Sequence, residues 1–376
     1  MDRRSIRPPR LSMILFLAAT AIVCAMEPAF PASSNWHPVA SMQVQRSHHT
    51  ATLLLSGKVL VVSHYEGEVY DPSSNTWAVA SGLSVPRFDH TATRLASGKV
   101  LIAGGYATTV GFLKSAVIFD PADNSWSDAA DMSNARTDFS SVLLPSGKVL
   151  VVGGRNGAGY VAEAEIYDPA LDTWSPAGSL AHERVYATAT LTGTGQVMVT
   201  GGAHFTIHLA STELYDPSSG LWTEVGDLHT GRYWQTATLM PSGSILVSGG
   251  QIDTPEYSTS TEIFDAGTGT WSPGSSMAYG RGIHAASVLD NGKVLVSGGY
   301  SWNGQDVVAA TELYDEVRNE WSHAGMLAAG RVFHTSTVLD SGDVLVVGGI
   351  GPSGSPLETA ELYDWDGEAI FSGGFD

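Results

Sequence analysis

Hydrophobic and polar positions recur along this chain as one block written out seven times. Each block opens on an arginine and a run of small residues, such as Thr50-Ala51-Thr52 or Thr188-Ala189-Thr190. A Ser-Gly-type turn follows, then an unbroken apolar run such as Val149-Leu150-Val151-Val152. The run stops at Gly-Gly in six of the seven blocks, and a Gly-rich loop leads to Glu-x-Tyr/Phe-Asp and a tryptophan. These are four strand signals per block. The small-residue strand suits the crowded centre of a radial array. The apolar run has no polar face, so it predicts a strand covered on both sides by neighbouring sheets. Glycine at the turn, from Ser56-Gly57 to Ser341-Gly342, predicts two-residue hairpins that need positive φ.

The leading arginines are Arg46, Arg87, Arg136, Arg184, Arg232, Arg281 and Arg331. The aspartates after the aromatic are Asp71, Asp120, Asp168, Asp216, Asp265, Asp315 and Asp364, at intervals of 48 to 50 residues. That period belongs to propeller blades. The expected fold is all-β, a seven-bladed β-propeller of four-stranded blades over residues 36–365. Trp36 to Met42 repeats the segment that ends every later block, and the chain ends near Asp364 without one. The N-terminal strand is therefore expected to complete the blade begun at Arg331 and close the ring, leaving no open sheet edge.

The residues before this array read as a leader. Arg3, Arg4, Arg7 and Arg10 precede an apolar run from Leu11 to Cys24, too short to span a bilayer. Residues 1–25 are expected to be a cleaved signal peptide, 26–35 a flexible leader and 366–376 a tail. A lipid-anchored Cys24 and a twin-arginine signal are the variants of this reading. Secretion or periplasmic export, with no membrane insertion after cleavage, follows from it. Cys24 is the only cysteine, so the mature chain would carry neither a disulfide nor a thiol nucleophile. The formal net charge of −19 argues against nucleic acid and anionic membranes as partners.

The order Arg, small strand, Gly-Gly, Glu-x-Tyr-Asp-Pro, Trp resembles the kelch repeat. More narrowly, it is similar to exported bacterial kelch proteins that group with the central domain of galactose oxidase. The resemblance covers residues 36–365 and implies the propeller. It leaves function open, because kelch propellers host scaffolds and enzymes alike. Galactose-oxidase-type copper chemistry needs a tyrosine crosslinked to cysteine, and no cysteine follows residue 24. The Glu-x3-Asp-x3-His spacing of kelch-type specifier proteins is also missing. No cofactor, no metal and a monomer are expected.

Two roles are open for the arginines: a ring of cations for an anionic ligand, or pairing with Glu68, Glu165, Glu213, Glu262, Glu312 and Glu361. Val117 fills the glutamate position in the second block, so Arg87 has no such partner, and Ser63-His64 replaces Gly-Gly in the first. Around this notch lie His49, His64, Tyr65, Arg87, Asp89 and His90. They read as a site for a carboxylate or sugar acid, with His49, His64 or His90 as acid or base, as a site for a metal, or as drift at the closure point with Arg87 pairing locally with Asp89. His284 and His334 share the His49 and His90 position, which Phe139, Ala187 and Gln235 fill elsewhere. His204 and His208 have a spacing that a loop does not hold for a metal. Tyr106, Tyr186, Tyr233, Trp234, Tyr257, Tyr300 and Trp302 fall at the same end, where exposed aromatics suit sugar stacking or a protein partner. Three functions follow: a module binding a glycan or protein through the loop face, an enzyme on an acidic sugar (sialic acid epimerases share the kelch fold), or a structural surface protein.

Overall fold

The computed structural model describes residues 35–64, 66–80, 82–253, 257–301 and 306–365. The expected signal peptide and C-terminal tail lie outside them, as do Tyr65 and Trp302. Seven four-stranded antiparallel sheets are present. In blade 1 the strands are Thr50–Leu53, Val59–Ser63, Glu66–Asp71 and Thr76–Ala80, from the axis outward. The innermost strands touch one another around the ring, and Thr50–Leu53 touches Thr335–Val338 of blade 7 to shut it.

Each second strand is buried along its whole length because it is sandwiched between blades. Period-two alternation divides its side chains between the two neighbours. Val59 and Val61 pack with Leu345 and Val347 of blade 7, whereas Leu60 and Val62 pack with Val100 and Ile102 of blade 2. The aromatic of the third strand pairs across to the tryptophan of the fourth, with Tyr70 and Trp77 centroids 5.0 Å apart. The indole reaches the preceding blade: Trp77 Nε1 donates to Ala40 O at 2.7 Å, and Trp174 Nε1 to Ala130 O at 2.7 Å. Aromatic contact therefore works within a blade, and the polar end of the indole ties adjacent blades.

Closure takes the expected form. Trp36–Val39 pairs antiparallel with Ala360–Tyr363, Trp36 opposite Tyr363, as the outer strand of blade 7. Trp36 Nε1 also donates to Thr311 Oγ1 of blade 6 at 3.0 Å.

The turn between the first two strands differs from expectation. Gly57 N donates to Leu54 O at 3.0 Å, while Leu54 N donates to Lys58 O at 2.8 Å. The loop thus holds three residues, with Gly57 at φ 77° closing a bulge rather than sitting in a two-residue turn. Short two-stranded hairpins top blades 2, 3, 4 and 6, such as Arg155–Asn156 with Gly159–Tyr160 and Ala203–His204 with Ile207–His208. They stand on the face where the arginines lie.

Candidate functional site at the channel mouth

The arginine ring is the frame beneath this face. Arg184 donates from Nη1 to Gly201 O and Ser211 O at 3.0 and 2.9 Å, and from Nη2 to Glu213 Oε1 at 2.7 Å. The other oxygen of Glu213 accepts from Ala181 N at 2.8 Å. That amide belongs to the segment arriving from blade 3, so each pair staples a crossover to the next blade. The same ion pairs join Arg46 to Glu68, Arg136 to Glu165, Arg232 to Glu262, Arg281 to Glu312 and Arg331 to Glu361. All seven arginines are buried. The ring of cations is structural and does not open on the channel.

Arg87 follows its siblings without their carboxylate. It is 1% exposed, and its guanidinium donates to Gly104 O, Ser115 O and Ser115 Oγ. Burial lowers its pKa to about 10, with Asp128 and Asp131 opposing the shift. Of the notch residues expected around it, His49, Asp89 and His90 line one cavity at the channel mouth, and Arg87 does not line it. His90 Nε2 bonds Thr50 Oγ1 at 3.0 Å, and His49 Nε2 bonds Thr335 Oγ1 at 3.0 Å, each linking two inner strands. Burial, then nearby arginine charge, pulls both imidazoles down to about 3, so they are neutral at ordinary pH. His64 pairs its backbone with Arg87, and its ring leans on Phe88 at 5.8 Å. Arg87 and His64 therefore turn to contacts outside the cavity that His49 and His90 share.

What converges instead is the position two residues after each arginine. His48, Asp89, Asp138, Tyr186, Trp234, Ile283 and Phe333 all have φ between 52° and 59°. Left-handed backbone is uncommon outside glycine, and for a β-branched residue such as Ile283 it is a genuine outlier. Bonds between blades hold the conformation: His48 N donates to Phe333 O at 3.3 Å, Tyr186 N to Asp138 O at 3.2 Å and Ile283 N to Trp234 O at 3.0 Å. Six of the seven (all but Asp138) line a cavity of about 310 Å³ at the mouth of the channel, with His49, His90, His284 and His334 among the residues beneath them.

The mouth has two chemically distinct sides. Across one side, Asp138 Oδ2 accepts from Arg155 Nε at 2.7 Å. Burial, and then the charge of Asp138, pushes the neighbouring Asp89 carboxyl up to about 7, with Arg155 opposing. Burial also raises Asp138, again against Arg155, and it lifts Tyr186 to about 12 with help from Asp138. The other side is aromatic: Tyr186 lies 5.2 Å from Trp234, and Tyr233 lies 4.6 Å from Trp234. These rings continue into a cleft of about 430 Å³ between blades 3, 4 and 5, lined also by Arg155, Tyr160, Phe205 and His208. Phe205, on the blade 4 hairpin, is 72% exposed.

Tyr186, Tyr233 and Trp234 thus meet on the loop face, and Asp89, expected at the notch around Arg87, lies beside them, while Tyr106 and Tyr300 do not join them. Tyr106 packs on Phe88 and Phe112, and Tyr300 stacks with Tyr257 at 6.2 Å. His204 and His208 part company, towards Glu183 and Asp253. Sequence reasoning missed His48, Asp138, Phe333 and Arg155. Its one available signal was aspartate, a residue that tolerates left-handed backbone, at Asp89 and Asp138.

These features define a kelch-type seven-bladed β-propeller with a ligand-sized mouth on its hairpin-bearing face. The chain belongs to the Attractin/LZTR1 β-propeller family, whose model matches residues 62–305. No curated protein matches it. Among solved structures it is similar to a fungal alcohol oxidase of the AA5 family in complex with copper, at TM-score 0.74 and 18% identity, covering 89% of this chain and 78% of that one. It is also similar to YjhT, at TM-score 0.61 and 15% identity, covering 76% of this chain and 99% of that one. Likeness at such identity concerns the fold.

Proposed function

We propose that this is an exported binding module that takes a glycan in the aromatic cleft and channel mouth of blades 3, 4 and 5. The observation that carries the reading is the run of rings Tyr186, Tyr233 and Trp234 beside the exposed Phe205, in a cleft that also offers Arg155. Sugar rings present apolar faces that stack on such surfaces, and polar groups at the edge fix their hydroxyls. The acidic-sugar enzyme loses its proposed anchor, because the Arg87 guanidinium is occupied by backbone oxygens and Ser115. A protein ligand on the same face would need the hairpin tips rather than the cleft.

The test is an array of immobilised oligosaccharides probed with the intact protein and with Trp234→Ala. The reading expects a defined subset of glycans bound by the wild type and lost in the variant. Retention of every signal in Trp234→Ala would move the site elsewhere. A ligand-independent melting temperature across the whole panel would favour a purely structural protein.

A further inference from the structure

The charge at the mouth points to a narrower ligand than a neutral sugar. We propose that the group seated in the mouth is a protonated amine carried on a sugar, held over Asp89 between the faces of Tyr186, Trp234 and Phe333. This rests on the glycan reading above and adds the chemistry of the substituent.

The 310 Å³ cavity is lined by one carboxyl, Asp89, and by no lysine or arginine. The imidazoles around it supply no compensating charge. His48 is pulled down to about 4, His49, His90 and His284 to about 3, and His334 well below its ordinary value, chiefly by burial. The cation at its edge, Arg155, has committed its Nε to Asp138. Tyr186 is held protonated. Asp89 therefore sits half-buried with no counter-ion of its own, and a cation entering the cavity would find both a carboxylate and π faces. An anionic ligand would meet Asp89 and Asp138 instead. The formal charge of −19 draws cations towards the molecule as a whole.

Isothermal calorimetry at pH 7 can compare the hexamer of glucosamine with the hexamer of N-acetylglucosamine, which differ only in the amine. The free-amine hexamer is expected to bind at least ~10-fold tighter, as one charge-assisted contact allows. Asp89→Asn should erase most of that preference. Asparagine tolerates the φ of 52° at this position, so the variant is expected to fold, and its melting curve checks this. Equal or tighter binding of the acetylated hexamer overturns the amine while leaving the glycan reading intact. Failure of both hexamers, alongside a silent array, removes the two together. A hexalysine peptide that binds better than the glucosamine hexamer contradicts the sugar as carrier.

Discussion

The Nη2 of Arg184 lies 2.7 Å from Glu213 Oε1, with the two side chains 0% and 1% exposed. A charge pair so far from water is held by complete satisfaction, since the arginine also donates to two carbonyls and the glutamate accepts amides from the incoming crossover. Removing one partner strands the other. Glu213→Gln is expected to lower the unfolding free energy by about 3–5 kcal/mol, read from chemical denaturation. Lys148→Ala, which breaks the exposed pair with Asp168, should leave the midpoint unmoved.

Blade 2 offers the reverse experiment. Val117 faces Ile102 and Asp128 in the register that Glu213 keeps with Val199 and Glu224. Val117→Glu should supply the carboxylate that Arg87 lacks, and raise the melting temperature by an amount matching roughly 1.5–3 kcal/mol. A lower melting temperature would show that blade 2 is shaped around the valine.

Acid should unfold the protein from near pH 6 downward. His49, His90 and His284 hold pKa values of about 3, and His334 one well below 6.5, so unfolding takes up protons as pH falls below 6.5. Asp89 and Asp138 act in the opposite sense. Their raised carboxyls hold a proton in the fold that the unfolded chain has already lost above about 4, and the contribution of Asp89 fades as pH rises through about 7. The buried imidazoles outnumber the two raised carboxyls, so the fold loses stability as pH falls from 6 towards 4. His90→Gln, which copies the residue at Gln235, should flatten that slope by one proton in pH-dependent denaturation.

The outer strand of the closing blade comes from the other end of the array. Trp36 is 6% exposed and touches Tyr363 at 5.1 Å. Trp36→Ala should cost about 3–5 kcal/mol. Deleting residues up to Val39 uncovers the edge of Ala360–Tyr363, and light scattering should then show self-association.

The frame was legible where residues repeat in register. Six of the seven arginines have a glutamate that recurs with the block, so spacing offered pairing as one of their two readings, and the six ion pairs take it. Burial of Val149–Val152 follows from its missing polar face. The mouth was not legible in the same way. The left-handed backbone of His48 is fixed by its amide bond to Phe333 O, a contact between residues 285 positions apart. Tyr186 and Trp234 were visible as loop aromatics, but Phe333 and His48 come beside them only when the ring closes. The Arg155–Asp138 pair needs the blade 3 hairpin to fold back. Histidines at one interchangeable position are hydrogen-bonded ties between neighbouring blades, although the residue type alone suggests chemistry.

The most direct measurement is a crystal structure of the protein soaked with an oligosaccharide that binds it. The account predicts a sugar ring stacked on Trp234 and Tyr186, with its polar edge towards Asp89 and Arg155. Sugar density confined to the opposite face of the propeller, with the mouth empty, would contradict it.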